Sequence, residues 1–364
     1  MSRNELPRIS FGKRFAKRFG WTAVGLLAAF AAAGSPARAQ DAVEQFYRSK
    51  NNIDLIIGFT VGGGYDAYAR LLARYLGDQI PGKPKLVPKN MTGAGSRIAA
   101  AYIHGVAPKD GTALGIADQS IALEQALGDS GVKFDSRELI YIGNPIVENN
   151  VVSTWYTSPI KTIEDARKVE STMGATGYNT SAQYPQVLNT MVGTKFKIIL
   201  GYPGGNEVNL AMEKGEVAGR GSNSWASWKA TRPDWIRDKK INLLVQVGLK
   251  KASDLPDVPL MMDLATNDID RQAMRLLSAP TVIGRPFFTS PQVPAERVKA
   301  LRAAFEATMK LPAFLEEAQK MNLDINPVSG EEVQKVVADI IDAPKPVKDR
   351  LASVLALIER ERSK

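Results

Sequence analysis

Residues 53–80 read IDLIIGFTVGGGYDAYARLLARYLGDQI. Ile53, Leu55, Ile56 and Ile57 form a short apolar run, the pattern of a strand buried in an α/β sheet. Gly62, Gly63 and Gly64 follow, and glycine reaches backbone angles closed to other residues. Tyr68, Leu71, Leu72, Tyr75 and Leu76 then recur with the spacing of one helix face. Asp66 stands where that helix should begin and is a candidate N-cap. Strand, glycine turn and helix together set bare backbone N–H groups at the positive end of a helix dipole, a place that attracts anions. Most such joints bind nothing, so the rest of the chain has to decide.

The same alternation continues on both sides. Residues 85–87 are a second short strand, confined to an edge or a strand end by Pro81, Pro84 and Pro88. NMTGAGS, residues 90–96, is a second glycine turn; Ser96 is read as the cap of a helix with Ile98, Tyr102, Ile103 and Val106 on its apolar side. PKDGT at 108–112 is a turn, and 114–117 is a buried third strand. Strands alternating with helices imply βαβ units and a mainly parallel sheet. From Leu139 to Val152 the apolar sequence is broken by Asn144-Pro145, which reads as a strand leaving one lobe and entering another. Residues 171–178, 196–200, 217–219 and 243–247 are further strands, each followed by a polar or glycine-rich turn or a helix. The return crossing is expected at 281–284, with helices beyond it. Arg220 follows the 217–219 strand; if that end faces a cleft it can grip a carboxylate bidentately, and otherwise it is a surface ion-pair partner. Trp225, Trp228 and Trp235 could line a site, but their spacing favours packing.

The first residues carry Arg3, Arg8, Lys13, Arg14, Lys17 and Arg18, then an alanine-rich apolar stretch from Trp21 to Ala33, then Ala37-Arg38-Ala39. That is the order of a secretory leader, and the apolar stretch falls short of the ~20 residues of a membrane span. Cleavage is expected after Ala39; removing 39 of 364 residues leaves 325. The leader holds seven basic residues and one acid, so the formal charge falls from +9 to +3. The mature chain therefore lacks the basic excess that nucleic-acid binding needs. There is no cysteine, which excludes disulfides and thiolate chemistry, and a single histidine, His104, which excludes a histidine-rich metal site. The length exceeds what one core usually serves, so two lobes are expected.

Catalytic and cofactor patterns fail one by one. Gly62, Gly64 and Ala67 fit G-x-G-x-x-A, but the second strand ends in Lys89-Asn90 with no acid for a ribose. Gly82-Lys83 is followed by Pro84, so there is no P-loop, and neither a G-x-S-x-G elbow nor a calcium loop occurs. His104 sits in no nucleophile context. No cofactor and no enzymatic activity are expected.

Taken in order, the turns form a family pattern. The segment GFTVGGGYDAYAR (58–70) resembles Pro-[Phe/Tyr]-x-x-Gly-Gly-x-x-Asp-x-x-Ala-Arg, and residues 90–96 resemble Asn-x-x-Gly-Ala-Gly-Gly. PKDGT (108–112), Tyr202-Pro203-Gly204, Gly215-Glu216-Val217 and LPDVP (255–259) match later parts of the same pattern. The chain resembles the extracytoplasmic solute receptors of tripartite tricarboxylate transporters, the TctC or Bug family. It departs from them at Gly58, where the family has proline, at Ser96, where it has glycine, and by an inserted Lys109. The resemblance implies a two-lobed α/β periplasmic binding protein of type II, with a mainly parallel sheet flanked by helices in each lobe and a ligand cleft between them. The lobes are expected at 40–149 plus 276–364 and at 150–275. The implied function is capture of a small carboxylate by lobe closure and delivery to integral-membrane permease subunits, by a monomeric periplasmic protein. The other readings are a periplasmic hydrolase-like enzyme and a receptor that feeds a sensor kinase. Expected ligand-binding residues are Phe59, Thr60, Val61, Gly62, Gly63, Gly64, Tyr65 and Asp66 from the first lobe, chiefly through backbone N–H groups. From the second they are Thr180, Ser181, Tyr202, Asn206, Arg220 and Ser222.

Overall fold

The computed structural model describes residues 36–362, with side chains from 40 to 356. The expected leader, residues 1–39, lies outside the described residues except for the opening turn of the first helix. The chain begins α1 (Pro36–Lys50), β1 (Asn52–Ile57), α2 (Gly64–Gln79), β2 (Lys85–Asn90), α3 (Arg97–Gly105), β3 (Ala113–Ile116), α4 (Ile121–Ala126) and β4 (Ile140–Asn144). It crosses to β5 (Asn150–Trp155), α5 (Ile163–Lys168), β6 (Ser171–Gly174), α6 (Thr180–Val187), β7 (Phe196–Ile199), α7 (Gly205–Glu213), β8 (Gly219–Ser224), α8 (Trp225–Thr231), α9 (Pro233–Arg237) and β9 (Ile241–Val247). After α10 (Asp268–Ser278) it returns through β10 (Phe287–Thr289), α11 (Ala295–Thr308), α12 (Pro312–Lys320), β11 (Val328–Ser329), α13 (Gly330–Ile341) and α14 (Lys345–Arg362).

Two sheets result, ordered β11-β4-β10-β3-β1-β2 and β7-β6-β8-β5-β9. In the first, β1 lies between β2 and β3 and runs parallel to both. Ile53, Leu55 and Ile57 are fully buried there, and each such burial is worth roughly 1.5–3 kcal/mol. β2 is the edge strand, where Pro88, opposite Leu55, leaves no ladder bond unmade inside the sheet. The strand that enters each sheet after a crossing runs against its neighbours: β5 against β8 and β9, β10 against β3 and β4. The two crossings lie side by side. Glu148 N–H donates to Thr281 O (3.2 Å), Asn144 Nδ2 to Val282 O (3.2 Å), and Arg285 N–H to Asn144 Oδ1 (2.7 Å). Trp228 and Trp235 are buried with ring centroids 5.5 Å apart, so the tryptophans pack the second lobe.

Residues 41–50 are helical, because Val43 and Tyr47 bury one face of α1. Three details differ from the sequence expectations. The buried face of α3 is Ala99, Ala100 and Ile103, while Ile98 and Val106 are exposed. Small residues let this helix approach β3 closely at Gly115, where a Cβ would lie 2.8 Å from Ile103 Cγ1. Arg220 belongs to β8 itself, which starts at Gly219 instead of ending there. The last helix, expected with the first lobe, packs on α6 and α10.

Ser96 does not cap α3. Its backbone is left-handed (φ 73°), and its Oγ accepts the Asp118 N–H at 2.7 Å. A Cβ on Gly58 would lie 2.4 Å from the Ser96 Cβ. The two departures from the family pattern therefore meet in space: serine at 96 occupies the volume a side chain at 58 would need. Gly58→Ala should cost about 1–3 kcal/mol by overpacking. In a Ser96→Gly background most of that cost should vanish, a coupling measurable by urea denaturation of both single variants and the double. Strict additivity would show that the two positions do not compete for space.

Candidate functional site

The glycine turn is fixed by one carboxylate. Gly63, not Asp66, is the N-cap of α2, and no side chain caps it. Asp66 lies in the first turn, buried, and its Oδ2 accepts the Gly62 N–H at 2.9 Å. Arg70 Nε and Asn90 Nδ2 also donate to Asp66, each at 2.9 Å, and Asn90 Nδ2 reaches Phe59 O at 2.7 Å. Asp, Arg and Asn in the two signatures thus knit the turn to the end of β2. The amides of Gly63, Gly64 and Tyr65 have no acceptor among the described residues, as the first N–H groups of a helix require.

These residues border a partly open cavity of about 60 Å³ between the lobes, room for a few waters. Of the expected ligand-binding residues, Phe59, Thr60, Gly63, Gly64, Tyr65, Thr180, Ser181, Asn206, Arg220 and Ser222 line it. Four do not. Val61 is 64% exposed, with its carbonyl taken by Asn206 Nδ2 (3.1 Å). The Gly62 amide is spent on Asp66, which lies beneath the turn. Tyr202 lines an adjoining groove with Tyr178 and Arg97. Residues that the sequence reading missed include Asp118 and Gln119 after β3, Asn179 at the start of α6, Asn223 in β8, Ser227 in α8 and Arg285 beyond the return crossing. Position was the available signal for Asp118: in open α/β sheets, ligands gather at the carboxyl ends of strands.

The lobes touch through polar contacts. Thr60 Oγ1 donates to Glu207 Oε2 (3.1 Å), Asn179 Nδ2 to Asp118 Oδ2 (3.1 Å), and Gln183 Nε2 to Glu124 Oε1 (3.2 Å). Arg285 Nη2 donates to Ser227 Oγ (2.7 Å) and lies 3.2 Å from Glu148 Oε1. Ser224 Oγ donates to the other Glu148 oxygen. The Arg285 guanidinium also lies over the Tyr65 ring, 4.1 Å from its centroid, and that ring stacks on Phe59.

Charge sets the character of the cavity. Burial alone would pull Arg285 down, but the Glu148 carboxylate, with Tyr65 and Tyr68, turns the net shift upward. Burial raises Asp118 and Glu148, against the pull of nearby cations and hydroxyls. Arg220 is different. It donates to Ser222 O (3.0 Å), Gly205 O (3.3 Å) and Asn209 Oδ1 (3.0 Å) and rests over Trp228, with no acid in ion-pair contact among the described residues. Burial, then repulsion from Arg232 and Arg285, lowers it to about 9, so at neutral pH it stays charged under a penalty that an anion would relieve. His104 is remote from this arrangement: it pairs with Glu138 at 2.7 Å and stacks on Phe134.

A Cβ on Gly64 would run into Ser227 Oγ, across the cleft, and lie 3.1 Å from Arg285 Nη2. Gly64→Ala should wedge the lobes apart while leaving each core intact. Small-angle scattering should show a larger radius of gyration than wild type; an unchanged radius with unchanged stability would show that the contact yields.

The family model described as "Tripartite tricarboxylate transporter family receptor" matches residues 69–352. A relative from Cupriavidus necator, described as the UPF0065 protein in gbd 5'region, is 27% identical over 338 residues, covering 90% of this chain and 95% of that protein. Among solved structures, the periplasmic binding protein BugD has a TM-score of 0.66 at 16% identity, covering 85% of this chain and 97% of its own. R. palustris Rpa4515, solved with adipate, has a TM-score of 0.65 at 19% identity, covering 84% and 97%. MatC from Rhodopseudomonas palustris, with bound malate, has a TM-score of 0.62 at 15% identity, covering 84% and 98%. These structures share the two-lobed architecture, and because the family model spans well over half of the sequence, the chain belongs to the tripartite tricarboxylate transporter receptor family.

Proposed function

We propose that this receptor captures a small carboxylate in the cleft by closing its lobes and hands it to the membrane permease of a tripartite tricarboxylate-type transporter. The observation that carries the reading is Arg220: a cation at the cavity wall, held by neutral acceptors, without an acid of its own among the described residues. The free amides of Gly63, Gly64 and Tyr65 on the first-lobe side supply a second set of anion donors. Adipate and malate in two structural relatives are solutes of the kind this reading assigns here. Lobe closure is supported by the polar contacts that span the cleft and by hinge-like crossings only a few residues long. A leader cut after Ala39 and a mature charge of +3 fit export to the periplasm and work as a monomer on a small solute.

Calorimetric titration of the mature protein with mono-, di- and aromatic carboxylates should find at least one that binds, accompanied by compaction in small-angle scattering and recovered unaltered. Failure of every carboxylate, or recovery of a chemically changed product, overturns the reading. Arg220→Gln should weaken that binding about 10–100-fold, the worth of a charge-assisted hydrogen bond, with the far-ultraviolet circular dichroism unchanged. Gly63→Val tests the amides. A Cβ there meets only Thr60 O, at 3.8 Å, so the fold should accept the side chain while the cleft loses affinity. Full affinity in Gly63→Val would remove the turn from the site.

A further inference from the structure

Four consecutive residues ahead of α3 have positive φ: Gly93 (128°), Ala94 (47°), Gly95 (63°) and Ser96 (73°). A serine held there is strained, and such strain persists only where the surroundings impose it. What the serine adds is an oxygen. Ser96 Oγ accepts the Asp118 N–H at 2.7 Å, from 22 positions along the chain, and both residues are buried. Ser96 borders the groove beside the cavity, whereas Asp118 lines the cavity itself, so Ser96 reaches the cleft through Asp118.

Asp118 in turn meets the second lobe. Its Oδ1 accepts Ser120 N–H (3.0 Å) and Oγ–H (2.7 Å), and its Oδ2 accepts Asn179 Nδ2 (3.1 Å). Asn179 is the N-cap of α6, where its Oδ1 accepts the N–H (3.1 Å) and Oγ–H (2.6 Å) of Ser181. With the oxygen spent on the cap, the two amide protons go to Asp118 and to Thr176 Oγ1 (3.1 Å). The cap thus fixes which end of the amide faces the first lobe. The backbone follows the same seam: a Cβ on Gly177 would lie 2.9 Å from Gly95 N, and one on Gly95 would lie 3.2 Å from Asn179 Nδ2. One turn along α6, Gln183 repeats the contact on Glu124.

We propose that Ser96 and Asn179 are positioning residues for solute capture: from opposite lobes they hold Asp118 in place, and this relay sets the balance between the closed and the open cleft. This rests on the lobe closure of the reading above and adds the residues that hold it. A glycine at 96 would serve the turn, and an aspartate at 179 would cap α6 equally well. Only the seam between the lobes requires serine at one position and asparagine at the other.

The test uses the mature protein, which has no cysteine of its own, spin-labelled at Val106→Cys in the first lobe and Val169→Cys in the second, both exposed positions. Pulsed dipolar spectroscopy reads the ratio of closed to open molecules, alone and with each mono-, di- and aromatic carboxylate. Asn179→Asp keeps the cap but sets a second carboxylate against Asp118, and the ratio should fall about tenfold or more. The exchange Asp118→Asn with Asn179→Asp again sets a donor against an acceptor, and the ratio should return to within about threefold of wild type. Ser96→Ala and Ser96→Gly should both lower the ratio about three- to tenfold, although glycine relieves the backbone and should raise the urea midpoint above that of alanine. An unchanged ratio in Asn179→Asp or in Ser96→Ala, no recovery in the folded exchange variant, or a ratio that follows urea stability through the Ser96 pair overturns the relay and leaves lobe closure standing. A wild type with one label distance whatever carboxylate is added overturns lobe closure and the relay together. Should Asn179→Asp not fold, the Ser96 pair decides.

Discussion

The ion pair between Glu148 and Arg285 lies where the two lobes meet, and the cleft is built around it. Glu148 sits on the first crossing and Arg285 just beyond the return crossing, and both side chains are almost wholly buried. From that point the pair reaches Ser224 and Ser227 in the second lobe and the Tyr65 and Tyr68 rings in the first. A buried pair gains little over an apolar substitute, because desolvation offsets most of the attraction, yet loss of one partner strands the other charge. Such a pair is poor glue and good registry. It fixes where the crossings lie against each other, and hence where the two cleft walls meet.

Around that junction the charged groups fall into two kinds. Arg97, Glu124, Asp129, Glu148 and Arg285 answer one another within the protein. Arg220 and Asp118 are held chiefly by neutral groups, so their fields are directed at whatever occupies the cavity. The glycine turn adds backbone donors whose direction is set from below by Asp66. On the proposed reading, recognition is divided between a rigid main-chain cradle on one side and a few charges on the other.

Much of this was legible in the residues. The opening strand, its glycine turn and α2 follow from apolar spacing and from glycine's backbone freedom, both local properties. Ten of the fourteen expected residues line the cavity, most of them because turns at strand ends in an α/β sheet face the same way. The readings that needed correction share a cause. Asp66 looks like a cap, but its partner is the Gly62 amide and its support comes from Arg70 and Asn90, the latter 24 positions along the chain. The large residues of α3 suggested the wrong face, because close approach at Gly115 selects alanines.

The sequence by itself determined the strand–helix alternation, the two-lobed plan, the glycine turn at the start of α2 and the absence of thiol or multi-histidine chemistry, since each depends on neighbouring residues, on length or on composition alone. Only the tertiary structure decided that Arg220 has no acid in ion-pair contact among the described residues, that Asp118 lines the same cavity, and that Glu148 and Arg285 meet beside the crossings. Those facts concern which charges meet a partner of opposite sign. Pairing is a property of distance in space, and residues 118, 148, 220 and 285 are brought within reach only by the fold.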